Sequence, residues 1–220
     1  MSGLDLVRLS DELIADRRWT SCYGDGTIPS RMRWLRAECA ASLPPDLVFS
    51  DLFRSPASSL EAVARGRGAL PPGYSCHNFG GAVDLDVDAT MRRLGYTKKR
   101  LDEYMAAAGW YCHRSDHKRG SEDWHWNYLP SPPSGRLSSD EAERHLVDLY
   151  EAQWSALRSD LHAEQTALAA LGLYRGAIDG IVGKQTRSAR AAFSSAWLTR
   201  PTADYYRVLW LAAQAKRYEE

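Results

Sequence analysis

The chain has 220 residues, of which 44% are apolar, and its 28 basic residues balance its 28 acidic ones, so that the formal net charge is zero. This composition is typical of a globular protein of one large or two small domains, and the balanced charge argues against a general nucleic-acid-binding protein. Charged residues in the first 18 positions exclude the apolar segment of a signal peptide, and no stretch reaches the roughly 18 apolar residues of a membrane-spanning helix.

The first third of the chain predicts two helices and then a strand followed by a helix. Apolar residues at helical spacing in 4–14 predict the first helix, and residues 30–41 predict the second. The apolar segment 47–53 predicts a strand. Residues 58–65 predict a short helix with Ser58 as its N-cap.

The next segment contains His77 and Asp84, an imidazole and a carboxylate seven residues apart, with Gly80 and Gly81 between them. The glycines allow a tight turn, after which both side chains can point at one position. Both side chains are common zinc ligands. A buried, hydrogen-bonded histidine beside a strand is the simpler explanation of His77, and the pair alone does not decide between the two.

Aliphatic and acidic residues alternate in 82–87, which predicts a half-buried strand. Of its acidic residues, only Asp84 lies near enough to the glycine turn to share a site with His77. Asp86 and Asp88 are expected to be solvated or to cap a helix.

The four cysteines are Cys22, Cys39, Cys76 and Cys112. They are too few for a disulfide scaffold and lack C-x-x-C spacing. In an extended segment Cys76 would point away from His77, so packing is expected rather than metal binding. Whether any of the four pair is left open.

A helix is predicted over 96–108 and a strand begins at Trp110. Glu122 and His125 follow, three residues apart. In an extended or turning segment that spacing lets His125 bind the same metal ion while Glu122 reaches a water molecule there, which is the division of roles in a zinc hydrolase.

The rest of the chain predicts helices behind a linker. Proline and serine make 129–135 a linker by composition, and Ser138 with Glu141 forms a capping box. The helical pattern that begins there is one helix or two, broken near residues 159–160. After a glycine-rich segment, two further helices are predicted over 186–197 and 203–215.

Two motifs in the first 130 residues resemble those of the D-alanyl-D-alanine carboxypeptidase and L-alanyl-D-glutamate peptidase family of zinc enzymes. Its signature is S-x-H-x-x-G-x-A-x-D, followed later by E-x-W-H, and residues 75–84 and 122–125 match both in full. The resemblance implies one zinc ion bound by His77, Asp84 and His125, with Glu122 as the general base.

The same family carries an arginine in a G-Y-R-S-like segment, which contacts the substrate carbonyl or carboxylate. Arg54 and Ser55 match its end, but Asp51, Leu52 and Phe53 stand where glycine and tyrosine are usual. The resemblance implies Arg54 as a second catalytic residue, since a fixed guanidinium stabilises charge developing on a carbonyl. The alternative is an exposed charge at the end of a strand.

Residues 164–213 resemble the peptidoglycan-binding domain built on three helices. The residues shared with its pattern are Gln165, Leu171, Gly172, Tyr174, Gly176, Asp179, Gly180, Gly183, Thr186, Ala189 and Phe193. Ser194 replaces the usual glutamine after Phe193.

Together, these patterns predict an α+β protein. A small antiparallel-sheet zinc peptidase domain with flanking helices is expected in residues 1–130, a linker and connecting helix in 131–160, and an all-α three-helix wall-binding module in 161–220.

The two resemblances imply a zinc-dependent peptidase that hydrolyses stem peptides of bacterial peptidoglycan. With no export signal, the expected protein is a monomeric phage endolysin, made in the host cytoplasm and released to the cell wall by a separate membrane-permeabilising protein, with neither nucleic acid as a partner nor insertion into the membrane. One alternative is a bacterial D-alanyl-D-alanine carboxypeptidase. Another is a non-catalytic wall-binding or signalling protein with a degenerate zinc site, against which the intact Glu122 argues.

Overall fold

The computed structural model describes residues 3–10, 20–21, 24–25, 33–66, 69–112, 122–130, 139–199 and 204–218. In chain order, the strands are β1 (Leu6–Arg8), β2 (Thr20–Ser21), β3 (Gly24–Asp25), β4 (Trp34–Arg36), β5 (Phe49–Asp51), β6 (Ala82–Leu85), β7 (Trp110–Cys112) and β8 (His125–Tyr128). The α-helices are α1 (Ala37–Ala41), α2 (Pro56–Ala64), α3 (Val87–Leu94), α4 (Lys98–Ala107), α5 (Ser139–Ser159), α6 (Leu161–Ala170), α7 (Lys184–Trp197) and α8 (Tyr205–Ala215). Short 3-10 helices span Cys76–Phe79 and Lys216–Tyr218.

The central element is a four-stranded antiparallel sheet with the strand order β5-β6-β8-β7. Two smaller antiparallel pairs, β1 with β4 and β2 with β3, accompany it. Small antiparallel sheets together with helices confirm the α+β class. In the described part of the chain no helix combines the length and the apolar character needed to cross a membrane.

Strand β6 is buried on both faces, so the prediction of a half-buried strand over 82–87 is wrong. Val83 and Leu85 pack in one hydrophobic cluster, whereas Ala82 belongs to another. The strand ends at Leu85, because Asp86 begins α3 as its N-cap and accepts a hydrogen bond of 2.8 Å from the Ala89 amide. One of the two roles expected for Asp86, a helix cap, is therefore confirmed.

The prediction of a helix over 4–14 is wrong at Leu6–Arg8, because these residues form β1. Residues 11–14 lie outside the described part. Of the helix predicted over 30–41, Ala37–Ala41 are helical, whereas Trp34–Arg36 pair with β1; residues 30–32 lie outside the described part. The reason is tertiary: the β1–β4 strand pair packs on Gly80, whose carbonyl accepts a hydrogen bond of 3.0 Å from the Arg36 amide. Such contacts override local helix propensity.

Gly80→Ala should destabilise the fold more than the equivalent change elsewhere. Gly80 has φ of 66°, and an added Cβ would lie 2.6 Å from Leu6 Cδ2 and 2.9 Å from the Arg36 amide nitrogen. Gly95 has the same φ with nothing within 4 Å, so Gly95→Ala is the matched control and carries only the backbone cost of about 1–2 kcal/mol. Overpacking adds about 1–3 kcal/mol at Gly80. Equal shifts in the urea midpoint would contradict the close packing.

The C-terminal helices share a hydrophobic core with the sheet region. Phe53 and Phe79 are fully buried in one cluster with Tyr150, Trp154 and Trp210 from α5 and α8. The Phe79 ring stacks 5.9 Å from that of Tyr150, which lies 5.2 Å from that of Trp210. The proposed domain boundaries stay a prediction, because residues 131–138, at the start of the predicted linker and connecting helix, lie outside the described part.

The long helical pattern after the linker forms two helices. Asp160 interrupts it and caps α6, accepting hydrogen bonds from the amides of His162 and Ala163. The predicted final helices are confirmed as α7 and α8.

Candidate metal centre

The sheet register brings Asp84 and His125 together. They are directly paired Cα partners on β6 and β8, and side chains of directly opposed residues lie on the same face of a sheet. The motif of residues 75–84 and the motif of residues 122–125 therefore meet because their strands are hydrogen-bonded neighbours.

His77 reaches the same position from the 3-10 helix that precedes β6. The Ser75 hydroxyl caps this helix by accepting a hydrogen bond of 3.3 Å from the His77 amide, and Gly80 ends it in the left-handed conformation. The His77 side chain is buried, with 2% exposure. A 3-10 helix here also means that the extended segment assumed around Cys76 is wrong, although Cys76 does pack in the hydrophobic core as expected.

Three ligand-type atoms converge at this point. His125 Nδ1 lies 2.7 Å from Asp84 Oδ1, His77 Nε2 lies 3.2 Å from the same oxygen, and the two nitrogens are 3.2 Å apart. In the described part of the chain, these residues form the one group of three or more potential ligand side chains positioned to hold a metal ion.

Neighbouring carbonyl groups decide which ring nitrogens face the centre. His77 Nδ1 lies 2.5 Å from the Leu52 carbonyl oxygen, and His125 Nε2 lies 3.0 Å from Asn127 Oδ1. A carbonyl oxygen only accepts hydrogen bonds, so these two nitrogens carry the protons. The opposite nitrogens then present lone pairs to Asp84.

Three lone-pair atoms so close together repel each other unless a cation lies among them. Two imidazole nitrogens and one carboxylate oxygen are a donor set that suits a divalent transition metal. The His77–Asp84–His125 group, called the metal centre below, therefore fits a bound metal ion, and its outer hydrogen bonds orient the ligands as such sites require.

When no metal ion is bound, protons can take its place, because a protonated imidazole nitrogen donates a hydrogen bond to Asp84 instead of presenting a lone pair. Burial would raise the pKa of Asp84, but the His77 charge and the hydrogen bonds from both imidazoles outweigh it and hold that pKa far below its ordinary value. Burial would lower the pKa of His125, but its hydrogen bond to Asp84 and the charges of Asp84 and Glu122 raise it above the ordinary value. When no metal is bound, His125 therefore holds a proton more readily than an isolated histidine does.

Metal affinity should consequently rise with pH through the neutral range. Because the pKa of His125 is raised, a proton competes with the metal up to a pH above about 6.5, the ordinary histidine pKa. We expect affinity to increase about tenfold per pH unit below the His125 pKa and to level off above it. The measurement is Zn²⁺ competition with a chromophoric chelator at a series of pH values.

Glu122→Gln supplies the internal control for this profile. Since the Glu122 charge contributes to the raised pKa of His125, the pH at which metal affinity levels off should be lower in that variant. An affinity that does not change from pH 5.5 to 8, in buffers corrected for the chelator, would be inconsistent with a competing proton on His125.

Glu122 is exposed, and its charge acts on His125 of the metal centre. It precedes β8 in a turn in which the His125 amide donates a hydrogen bond of 3.1 Å to the Glu122 carbonyl. Trp124, in the same turn, is 44% exposed, whereas Trp126 is fully buried beneath the Lys98 ammonium group. Of the two tryptophans, Trp126 is a packing residue and Trp124 borders the solvent near Glu122.

Arg54 is buried, with 7% exposure, so the alternative of an exposed strand-end charge is wrong. Its Nε and Nη2 groups donate to Asp51 Oδ2, and Nη2 lies 4.0 Å from Asp84 Oδ2. Arg54 therefore adjoins the metal centre, next to the Oδ2 atom of Asp84.

Sequence reasoning missed Asn127 and Asp51. Asn127 is two residues after His125 on β8, and the period of two in a strand places both on one face, so this spacing was a usable signal. Asp51 carried no such signal, because its position opposite Asp84 depends on strand pairing.

Asn127→Leu should weaken metal binding about 10–100-fold, the usual cost of losing an outer hydrogen bond to a ligand histidine. Leucine cannot accept the His125 Nε2 proton, so the tautomer with Nδ1 facing Asp84 loses its preference. Asn127→Asp keeps an acceptor and should retain affinity. Equal affinities of the two variants in chelator competition would exclude a tautomer-setting role.

In the described part of the chain, Cys39, Cys76 and Cys112 form no disulfide with one another; Cys22 lies outside the described residues. Burial raises the pKa of Cys39 to about 12, and this thiol is therefore an unreactive core residue.

Comparison of the sequence with protein-family models gave no match, and comparison with curated proteins gave no significant match. The metal centre and the residues around it are therefore the basis for inferring a function. Two imidazoles, two carboxylates and a guanidinium around the central strand pair β6–β8 suit metal-assisted hydrolysis.

Proposed function

We propose that this protein is a zinc peptidase that hydrolyses stem peptides of bacterial peptidoglycan. The observation that carries the proposal is the convergence of three lone-pair atoms, from His77, Asp84 and His125, beside the exposed Glu122. Structural zinc sites are closed by four protein ligands, whereas catalytic sites use three and keep one position open.

The described part of the chain offers three ligands and no fourth, and these residues hold zinc in the proposal. When bound there, zinc supplies Lewis-acid chemistry, which polarises a carbonyl and makes water acidic enough to act as a nucleophile near neutral pH. Buried His77 and Asp84 orient the ligand set, and half-buried His125 lies towards the solvent.

Glu122 acts as the general base and then the general acid. Its carboxylate accepts a proton from the attacking water and delivers that proton to the departing amine. The turn that holds Glu122 is tied to β6 by a hydrogen bond of 2.8 Å from the Leu85 amide to the Trp124 carbonyl, so the backbone that carries the base is attached to the strand that carries Asp84.

Arg54 contributes a fixed positive charge. Its guanidinium is held by Asp51 beside the centre, and a buried cation offsets the negative charge that develops on the scissile carbonyl oxygen.

Peptidoglycan as the substrate rests on the two complete motifs and on the C-terminal resemblance. Buried Gln165 donates to Asp179 Oδ1 at 3.0 Å and to Thr186 Oγ1 at 3.3 Å, and its Oε1 accepts from the amides of Asp179 and Gly180. These residues belong to the shared pattern of the peptidoglycan-binding domain. Their mutual hydrogen bonds support the view that the pattern describes one folded loop.

In this proposal the protein works as a monomeric phage endolysin: it is made in the host cytoplasm and reaches the wall after a separate protein has permeabilised the membrane. The decisive experiment is digestion of purified peptidoglycan by the zinc-loaded protein, with the products identified by mass spectrometry of muropeptides. Glu122→Gln serves as the inactive control.

New amino termini inside the stem peptide or cross-link are the expected result. Release of terminal alanine alone would make the protein a D-alanyl-D-alanine carboxypeptidase instead. Binding to the wall without any cleavage would identify a non-catalytic wall-binding protein and overturn the proposed activity.

A further inference from the structure

Asp51 is a buried carboxylate beside the metal centre, and the catalytic scheme uses it only to hold Arg54. It is 1% exposed and is the Cα partner of Asp84 across β5 and β6. The same β6 residue is paired with His125 on the other side. Asp51, Asp84 and His125 thus form one row across three strands.

A β-bulge creates this row. Phe49 pairs with Leu85, and regular antiparallel pairing would then place Asp51 opposite Val83, whereas the register shifts by one residue and places it opposite Asp84. A one-residue shift turns a side chain to the other face of the sheet. The bulge therefore directs Asp51 towards the metal centre and away from the core face of Val83.

Each oxygen of Asp51 holds a group that touches a metal ligand. Oδ1 accepts a hydrogen bond of 2.9 Å from the Leu52 amide, and the Leu52 carbonyl is the acceptor for His77 Nδ1. Oδ2 accepts from Nε of Arg54 at 3.1 Å and from its Nη2. One carboxylate thus positions both outer partners.

Arg54 in turn distinguishes the two oxygens of Asp84. Its Nη2 lies 4.0 Å from Oδ2, whereas Oδ1 faces both imidazoles. The attraction between the guanidinium and Oδ2 leaves Oδ1 as the oxygen directed at the metal. Without Asp51, the buried guanidinium would lose its closest counter-charge and be drawn to Asp84.

We propose that Asp51 is a positioning residue of the metal centre, which orients His77 through Leu52 and keeps Asp84 a single-oxygen ligand through Arg54. The inference rests on the metal-binding part of the proposed function and is independent of peptide hydrolysis.

The test is titration of the full chain with Zn²⁺ and with Co²⁺, using competition with a chromophoric chelator and the visible absorption of bound Co²⁺. Asp51→Asn should bind both metals about 10–100-fold more weakly and should change the Co²⁺ spectrum, because Asp84 changes its mode of coordination. Glu61→Gln, which removes the carboxylate from the exposed Glu61–Arg65 pair on α2, is the matched control and should change neither.

A double variant separates positioning from stability. Asp51→Asn with Arg54→Met removes both buried charges. Its loss of affinity should not exceed that of the worse single variant, because Arg54 acts on Asp84 only while Asp51 holds it, so that the loss of Asp51 already includes the effect of Arg54. Circular dichroism and the melting temperature of each metal-free variant show whether it is folded.

Unchanged affinity and an unchanged Co²⁺ spectrum in folded Asp51→Asn would overturn the inference. So would a double variant whose loss of affinity equals the sum of the losses in the two single variants. Wild-type protein that binds metal but leaves muropeptides intact would remove the peptidase proposal and leave the inference standing. Wild-type protein that binds neither metal would remove both.

Discussion

Glu122→Gln is expected to reduce hydrolysis of stem peptides by about 10²–10⁴-fold in kcat, the usual contribution of a general acid–base residue. Glutamine keeps the size and a hydrogen-bonding oxygen of the side chain but cannot take a proton. The exposed position of Glu122, in the turn before His125, means that the exchange should leave the fold and metal content unchanged. The measurement is the rate of muropeptide release together with the zinc content of the purified variant.

Asp123→Asn is the matched control for this experiment. Asp123 is the neighbouring carboxylate in the same turn, and the proposed mechanism gives it no role, so hydrolysis should continue. Full activity of Glu122→Gln would remove the proposed base. Loss of zinc from Glu122→Gln would instead make Glu122 a ligand.

Trp210→Ala is expected to cost about 3–5 kcal/mol of folding free energy, the range for removing a large aromatic residue from a core. Trp210 is 1% exposed and packs against Tyr150 and Trp154, with ring centroids 5.2 and 6.0 Å away. The measurement is the denaturant midpoint, and Leu149→Ala on the exposed side of α5 should stay within about 0.5 kcal/mol.

This core also supports the metal centre. Phe53 precedes Arg54, and Phe79 shares a 3-10 helix with His77; both phenylalanines are fully buried in the cluster that contains Trp210. The Trp210→Ala variant should therefore lose metal affinity at denaturant concentrations near the midpoint of its own unfolding, since binding requires the folded centre. If Trp210→Ala lowers the folding free energy by less than about 1 kcal/mol, α8 packs too loosely to support the metal centre.

The C-terminal helices consequently have a structural role that is separate from the proposed binding to the cell wall. A module that only tethers the enzyme would be joined through a linker and would bury little of the catalytic part. Here, Phe79 stacks on Tyr150 of α5, and the 3-10 helix after α8 brings the Tyr218 ring within 6.4 Å of that of Phe53.

Much of the metal centre was predictable because its ligands lie in short motifs. His77 and Asp84 are separated by one tight turn, and Glu122 and His125 by one bend, so local spacing carries the chemistry. Helices α4, α7 and α8 were predictable for a similar reason: their apolar periodicity is a local property.

The failures concern residues whose structure depends on distant partners. Leu6–Arg8 form a strand because β4 and Gly80 provide hydrogen bonds and contacts that no local pattern reveals. The alternating residues of β6 are buried on both faces, since separate core clusters cover the strand on its two sides.

The sequence by itself determined which side chains are candidates for metal binding, His77, Asp84 and His125, and that Glu122 is the candidate for acid–base chemistry in the proposed function, because their spacings are local. Only the tertiary structure decided how those groups are oriented. The bulge that turns Asp51 towards Asp84, and the Leu52 and Asn127 oxygens that select the imidazole nitrogens, arise from strand pairing and chain packing. Such orientations depend on register and burial, and these are properties of the folded chain as a whole.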